Sequence, residues 1–122
     1  MKYINNNNAP KAIWPYSQAI KVWNFIYLSW QIWLDPINMN LLEWIENQTI
    51  QTCKNIWEIM KSEWVDYKNI FKTTIFLKDI NNFEIVNNIY SEYFQHKPAR
   101  STIEVSNLPK WALIEIECIW LI

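Results

Sequence analysis

Glycine is absent from this chain of 122 residues. Average usage of roughly 7% would supply about eight or nine, and chance omission at that rate has odds well under ~1 in 1000. The absence removes the residue that turns and helix ends use for left-handed backbone. Arginine is almost missing too: ten of the eleven basic residues are lysine, and Arg100 is the exception. His96 is the only histidine, and with no Cys/Asp cluster around it no metal site can be assembled. Cys53 and Cys118 sit in apolar surroundings without metal-ligand spacing; two buried reduced thiols is the favoured reading, a disulfide the alternative. No apolar run approaches the ~20 residues of a membrane span. Met1 leads into a run of asparagines, not an apolar h-region, so no signal peptide is read and a cytoplasmic location is expected. The net charge is −1 with no basic stretch, which argues against a nucleic-acid partner that needs many phosphate contacts. There is no linker and no internal repeat, so a single domain over residues 1–122 is expected.

What the chain has in excess is tryptophan, nine in all, alongside much isoleucine, asparagine and lysine, whose codons are AT-rich. Several tryptophans stand where backbone geometry favours glycine. Trp23-Asn24 separates the apolar runs Ala19–Val22 and Phe25–Leu28, where Gly-Asn would signal a two-residue hairpin. Trp64 follows a helical stretch ending at Glu63, the place of a glycine C′ residue. Trp111 follows Leu108-Pro109-Lys110, another turn. One reading is that all nine are UGA codons that mean glycine in the source organism. The other is a tryptophan-rich protein of odd composition.

The periodicity predicts an α+β layer. Asn5–Asn8 reads as a loop and Phe25–Leu28 as a buried strand. Ile50, Cys53, Ile56, Ile59 and Met60 have helical spacing over Gln51–Met60. Phe71, Thr73, Ile75 and Leu77 alternate with Lys72, Thr74, Phe76 and Lys78, a strand pattern. Asn81 with Glu84 suggests a capping box for a second helix, with Ile80, Phe83, Val86, Ile89, Tyr90, Tyr93 and Phe94 on one face. Pro98 stops it. Ser101–Val105 and Ala112–Ile122 read as final strands. One sheet with two helices on one face is expected. Ile114, Ile116 and Cys118 are expected to form a sheet face too apolar to leave in water, hence a contact between subunits.

Candidate chemistry rests on few residues. A guanidinium grips a carboxylate with a planar fork that lysine lacks, so Arg100, kept against the lysine bias, is either that fork or a chance surface residue. Period 2 puts Glu115 and Glu117 on one strand face with Leu113 and Ile119. Each glutamate is either exposed to solvent or lodged in a pocket, where it could polarise a water. Tyr16 is either a packed ring or a phenol donor, and His96 a surface loop residue. No Ser/His/Asp grouping and no phosphate-cradling loop can be found, even with glycine at the nine tryptophans.

With those replacements the chain resembles the RidA/YjgF family almost from end to end. The carriers are Asn8–Ala19; Leu28-Ser29-Trp30-Gln31-Ile32; Lys72–Asp79; Lys97-Pro98-Ala99-Arg100-Ser101-Thr102; and Leu108–Glu117. They agree with the family in order and spacing. The resemblance implies a chorismate-mutase-like α+β domain with one mixed sheet, a homotrimer with clefts between subunits, and no cofactor. It implies hydrolysis of 2-imino acids to 2-keto acids and ammonia, with a small 2-imino or 2-keto acid as ligand. Carried over, Arg100 would bind the carboxylate and Glu115 hold the attacking water. Tyr16 and Ser29 would line the pocket, with Trp30 and Thr102 contacting the ligand through their backbone amides. Thr102 departs from the cysteine common there. The indole of Trp30 would obstruct the pocket where glycine would let the backbone approach. A non-catalytic carboxylate sensor and an RNA-directed translation inhibitor or ribonuclease stay open as alternatives; Arg100 with Glu115 favours the deaminase.

Overall fold

The computed structural model describes the chain except residues 32, 33, 36 and 41, so the Ile32 end of the strand motif and Trp33 lie outside the described residues. The order is β1 (Lys2–Ile4), β2 (Ala19–Val22), β3 (Phe25–Gln31), α1 (Ile45–Lys61), β4 (Ile70–Leu77), α2 (Phe83–Tyr93), β5 (Ala99–Glu104) and β6 (Ile114–Leu121). The described residues make one six-stranded sheet, ordered β1-β2-β3-β6-β4-β5. It is mixed: β4 and β5 are parallel, joined through α2, while the other neighbours are antiparallel. Among the described residues no helix is long and apolar enough to cross a membrane.

The hairpin expected at Trp23-Asn24 is present, with Val22 opposite Phe25. Helix α1 begins six residues before the predicted stretch, because its first turns bury Ile45, Gln48 and Thr49 and so break the apolar pattern. The Thr49 hydroxyl is satisfied by donating to the Ile45 carbonyl, 2.7 Å away. The expected capping box at Asn81 is not formed. Asp79 instead accepts from the Asn81 amide and caps a 3₁₀ turn, Ile80–Asn82, that leads into α2. Of the apolar face read for α2, Val86, Tyr90 and Phe94 are buried, whereas Ile80 and Phe83 are exposed at its N-terminal end. β1 carries no period long enough to read; it forms by pairing its three residues with Lys21, Ile20 and Ala19.

Both helices cover one sheet face. Cys53, Ile56 and Ile59 of α1 and Val86 and Tyr90 of α2 share a core with Ile26, Leu28, Ile75, Leu77, Ile114, Ile116 and Cys118. That corrects the expectation for Ile114, Ile116 and Cys118: they lie under the helices and offer no surface to another subunit. The opposite face carries exposed apolar residues of its own, where Phe25 and Tyr27 alternate with core-facing Ile26 and Leu28. Both cysteines are buried free thiols.

Trp23, Trp44, Trp64 and Trp111 have φ of 53°, 67°, 60° and 55°. In this left-handed region a Cβ is crowded against the neighbouring carbonyl. The indoles gain no burial in exchange: Trp64 is 97% and Trp111 87% exposed. Trp64→Gly is therefore expected to stabilise the chain by roughly 1 kcal/mol, read as a higher urea midpoint with an unchanged m-value.

Candidate functional site

The open sheet face carries the first cluster. Glu115, on the central strand β6, pairs with Phe76 of β4, and Glu117 with Thr74. Pleating turns Glu115 and Glu117 away from the helices because Ile114, Ile116 and Cys118 point toward them. The chain between β1 and β2 folds back beside them. Buried Gln18 pins it, donating to the carbonyls of Asn6 (3.1 Å) and Pro10 (2.8 Å) and accepting from the Asn6 amide at 2.6 Å. Ser29 of β3 ties the same segment down by donating to the Ser17 carbonyl, 2.6 Å away. Tyr16 is thereby held at the mouth of a cavity of about 470 Å³, shared with Tyr27, Ser29, Trp30, Glu115 and Glu117.

Glu115 is only 2% exposed, and its Oε2 has no hydrogen-bond partner among the described residues. A buried carboxylate oxygen left unmatched calls for a partner from outside the chain, a water or a ligand. Burial disfavours the charged form and pushes the Glu115 carboxyl from 4.5 up to about 7. Burial, and then the charge on Glu115, raise the Tyr16 phenol, which keeps it a hydrogen-bond donor. Trp30 intrudes, its indole stacked on Phe76 at 4.2 Å with its N–H donating to Glu117 at 2.8 Å.

The second cluster surrounds Arg100. This residue of edge strand β5 lies beside Thr73 of β4, on the helix side of the sheet. Its Nη1 donates to Asn87 Oδ1 at 2.8 Å, and its guanidinium lies over the Phe83 and Tyr90 rings. A depression of about 420 Å³ opens here, also lined by Ser91 and Lys97. Thr102, two residues along on the same side, has a buried hydroxyl with no partner among the described residues. His96 lies in the exposed loop before β5, its Nε2 against the Ile70 carbonyl at 2.7 Å.

So Tyr16, Ser29, Trp30 and Glu115 come together, while Arg100 and Thr102 lie elsewhere; one chain does not join Arg100 to Glu115. Sequence reasoning missed Tyr27 on the cavity wall and Asn87 beside Arg100. The strand alternation carries a signal for Tyr27. For Asn87 the signal is its spacing, four residues after Phe83 and three before Tyr90, which makes it a polar residue within the apolar stripe of α2.

A family model described as endoribonuclease L-PSP matches residues 6–122. The chain belongs to that family. It is 43% identical to the 2-iminobutanoate/2-iminopropanoate deaminase of Mus musculus over 97% of this chain and 89% of the mouse protein. Among solved structures of L-PSP relatives, RidA from the Antarctic bacterium Psychrobacter superposes with a TM-score of 0.97, at 33% identity and full coverage of both chains. Escherichia coli TdcF, solved with bound serine, superposes at 0.96 with 29% identity over 100% of this chain and 99% of its own.

A carboxyl raised from 4.5 to about 7 on folding has a definite stability signature in this L-PSP member. The folded state holds this proton more tightly than the unfolded state, so the stability Glu115 contributes is fully present below pH 4.5 and is lost as pH rises through about 7. Glu115→Gln removes that dependence. Its melting temperature is expected to exceed the parent's at pH 8 and the difference to shrink toward pH 4, as read by calorimetry across that range.

Proposed function

We propose that this chain is a deaminase that hydrolyses 2-imino acids, such as 2-aminoacrylate tautomers and 2-iminobutanoate, to 2-keto acids and ammonia. The observation that carries the reading is Glu115: buried, with Oε2 unmatched among the described residues and its carboxyl raised to about 7, in a cavity with Tyr16 and Ser29. A base poised there can take one proton from water as its oxygen attacks the imine carbon and pass that proton to nitrogen, giving a carbinolamine; the hydroxyl proton then moves to nitrogen as the C–N bond breaks, leaving the keto acid and ammonia. The imine is already electrophilic, so positioning the water supplies much of the rate. The name of the mouse relative and the serine bound to TdcF support an amino-acid-sized carboxylate as the ligand.

Arg100 would bind that carboxylate, and because it lies apart from Glu115 in one chain it would come from another copy. The assembly we propose is a homotrimer with its sites between subunits, resident in the cytoplasm, where the free thiols of Cys53 and Cys118 persist. The exposed face with Phe25, Tyr27 and Phe71 supports such an assembly. We also propose that the nine tryptophans stand at UGA codons meaning glycine. The positive φ of Trp23, Trp44, Trp64 and Trp111 and the intrusion of Trp30 beside Glu115 support this. At residue 102 the ligand would meet threonine, and imine hydrolysis needs no thiol. The net charge of −1 gives an RNA-directed role little to stand on.

In an assay where a dehydratase generates the imine and keto acid is followed, the glycine-restored protein is expected to accelerate hydrolysis. Arg100→Lys keeps the charge without the fork and should lose most activity. Glu115→Gln should lose roughly 10²-fold or more. Parent-like activity in both variants would refute the site; keto-acid binding without turnover in the parent would replace the enzyme with a sensor. Sedimentation at micromolar concentration should give a trimer, and a monomer would remove the shared cleft. A mass of the natural protein that matches nine indoles would end the glycine reading.

A further inference from the structure

We infer that Thr73 and Tyr90 are positioning residues for Arg100, a buried pair that sets the plane of its guanidinium before any ligand arrives. The inference rests on the reading of Arg100 as the carboxylate fork. None of the residues of the clamp is a tryptophan, so its geometry does not depend on how the nine positions are read; the parent in the tests below is the glycine-restored protein, in which residue 30 leaves the pocket open.

The guanidinium carbon of Arg100 lies 5.0 Å from the centre of the Tyr90 ring and 5.6 Å from that of Phe83. Two ring faces at this range attract the cation and limit the tilt of its plane. Asn87 takes one N–H at 2.8 Å, which fixes rotation within that plane and leaves the remaining donors for a ligand.

Tyr90 is itself immobilised. Its ring stacks on Phe94 at 4.1 Å with planes 12° apart. Its hydroxyl meets Thr73 Oγ1 at 2.7 Å in the buried core. Thr73 is also the strand neighbour of Arg100 in the parallel β4–β5 register. The backbone of Arg100 and the tip of its side chain are thus both referred to Thr73, and the ring of contacts closes: Arg100 backbone, Thr73, Tyr90, guanidinium. A free arginine side chain samples many rotamers, and ordering it at the moment of binding weakens affinity; an arginine ordered in advance avoids that loss.

Because Arg100 is the sole arginine, its Nε–H gives a single assignable nitrogen-15 signal. In the parent protein that signal is expected to be displaced by ring currents, with slow rotation of the guanidinium. Tyr90→Leu should move it toward the free-arginine position and weaken 2-oxobutanoate binding about tenfold, the scale of losing one cation–π face. Tyr90→Phe and Thr73→Val keep the packing but lose the hydroxyl pair; each should weaken binding roughly threefold. The double variant should be no worse than either single, since both remove one interaction. KM for the imine should rise by matching factors, with a smaller change in kcat.

A free-arginine signal in the parent, or parent-like affinity in a folded Tyr90→Leu, overturns the inference. Should Tyr90→Leu fail to fold, the two conservative variants decide: additive losses, or none, overturn it. A parent that clamps Arg100 and binds 2-oxobutanoate without hydrolysing imines upholds the positioning pair and refutes the deaminase.

Discussion

Strand β6 lies between β3 and β4 at the centre of the sheet, and its two-residue alternation decides what each face can do. Ile114, Ile116, Cys118 and Trp120 point to the helices and complete the core. Glu115 and Glu117 are then obliged to point the other way. A one-residue slip in register would bury two carboxylates beneath α1 and α2, at a cost in desolvation that no partner there could offset. Core formation and placement of the Glu115 carboxyl are therefore one event. Glu115 remains buried on its own face because the segment pinned by Gln18 and Ser29 folds over it.

That coupling explains what was legible in the residues. Alternation in β4 and β6 and helical spacing in α1 are local patterns, and each matches an observed element. The pairing of Glu115 with Glu117 on one face followed from the same period. Features set by distant contacts were not legible. The start of α1 buries Gln48 and Thr49, polar residues whose partners are remote or belong to the helix backbone. Asp79 captures the amide of Asn81 and opens the second helical region one turn earlier than the expected box, a choice of start that composition does not rank. The apolar series Ile114, Ile116 and Cys118 was read as surface because alternation tells which residues share a face, not which face the helices will cover.

The tryptophans show a different kind of legibility. A residue type at odds with its backbone leaves a conflict between local preference and global fold. Trp23, Trp64 and Trp111 could be singled out from their neighbours as turn and helix-end positions, and all three have positive φ. Trp44 could not: it occupies the N-cap of α1 with φ 67° and ψ 140°, a conformation that nothing in the adjoining residues announces.

The separation of Arg100 from Glu115 within one chain has a chemical consequence under the proposed reading. A guanidinium placed beside Glu115 would favour its charged form and pull the carboxyl back toward the ordinary range. With no cation of its own chain on Oε2, Glu115 is governed by burial and stays near neutrality. In the shared cleft proposed above the cation would arrive from another copy, and a bound substrate carboxylate would offset much of its charge. The base then keeps the proton affinity that water activation needs while the site is occupied. On that reading one small domain would carry its anion-binding group and its base on opposite faces of the sheet, to be joined only between copies. Each is fixed by its own chain: Arg100 by α2 and β4, and Glu115 by the pleat of β6.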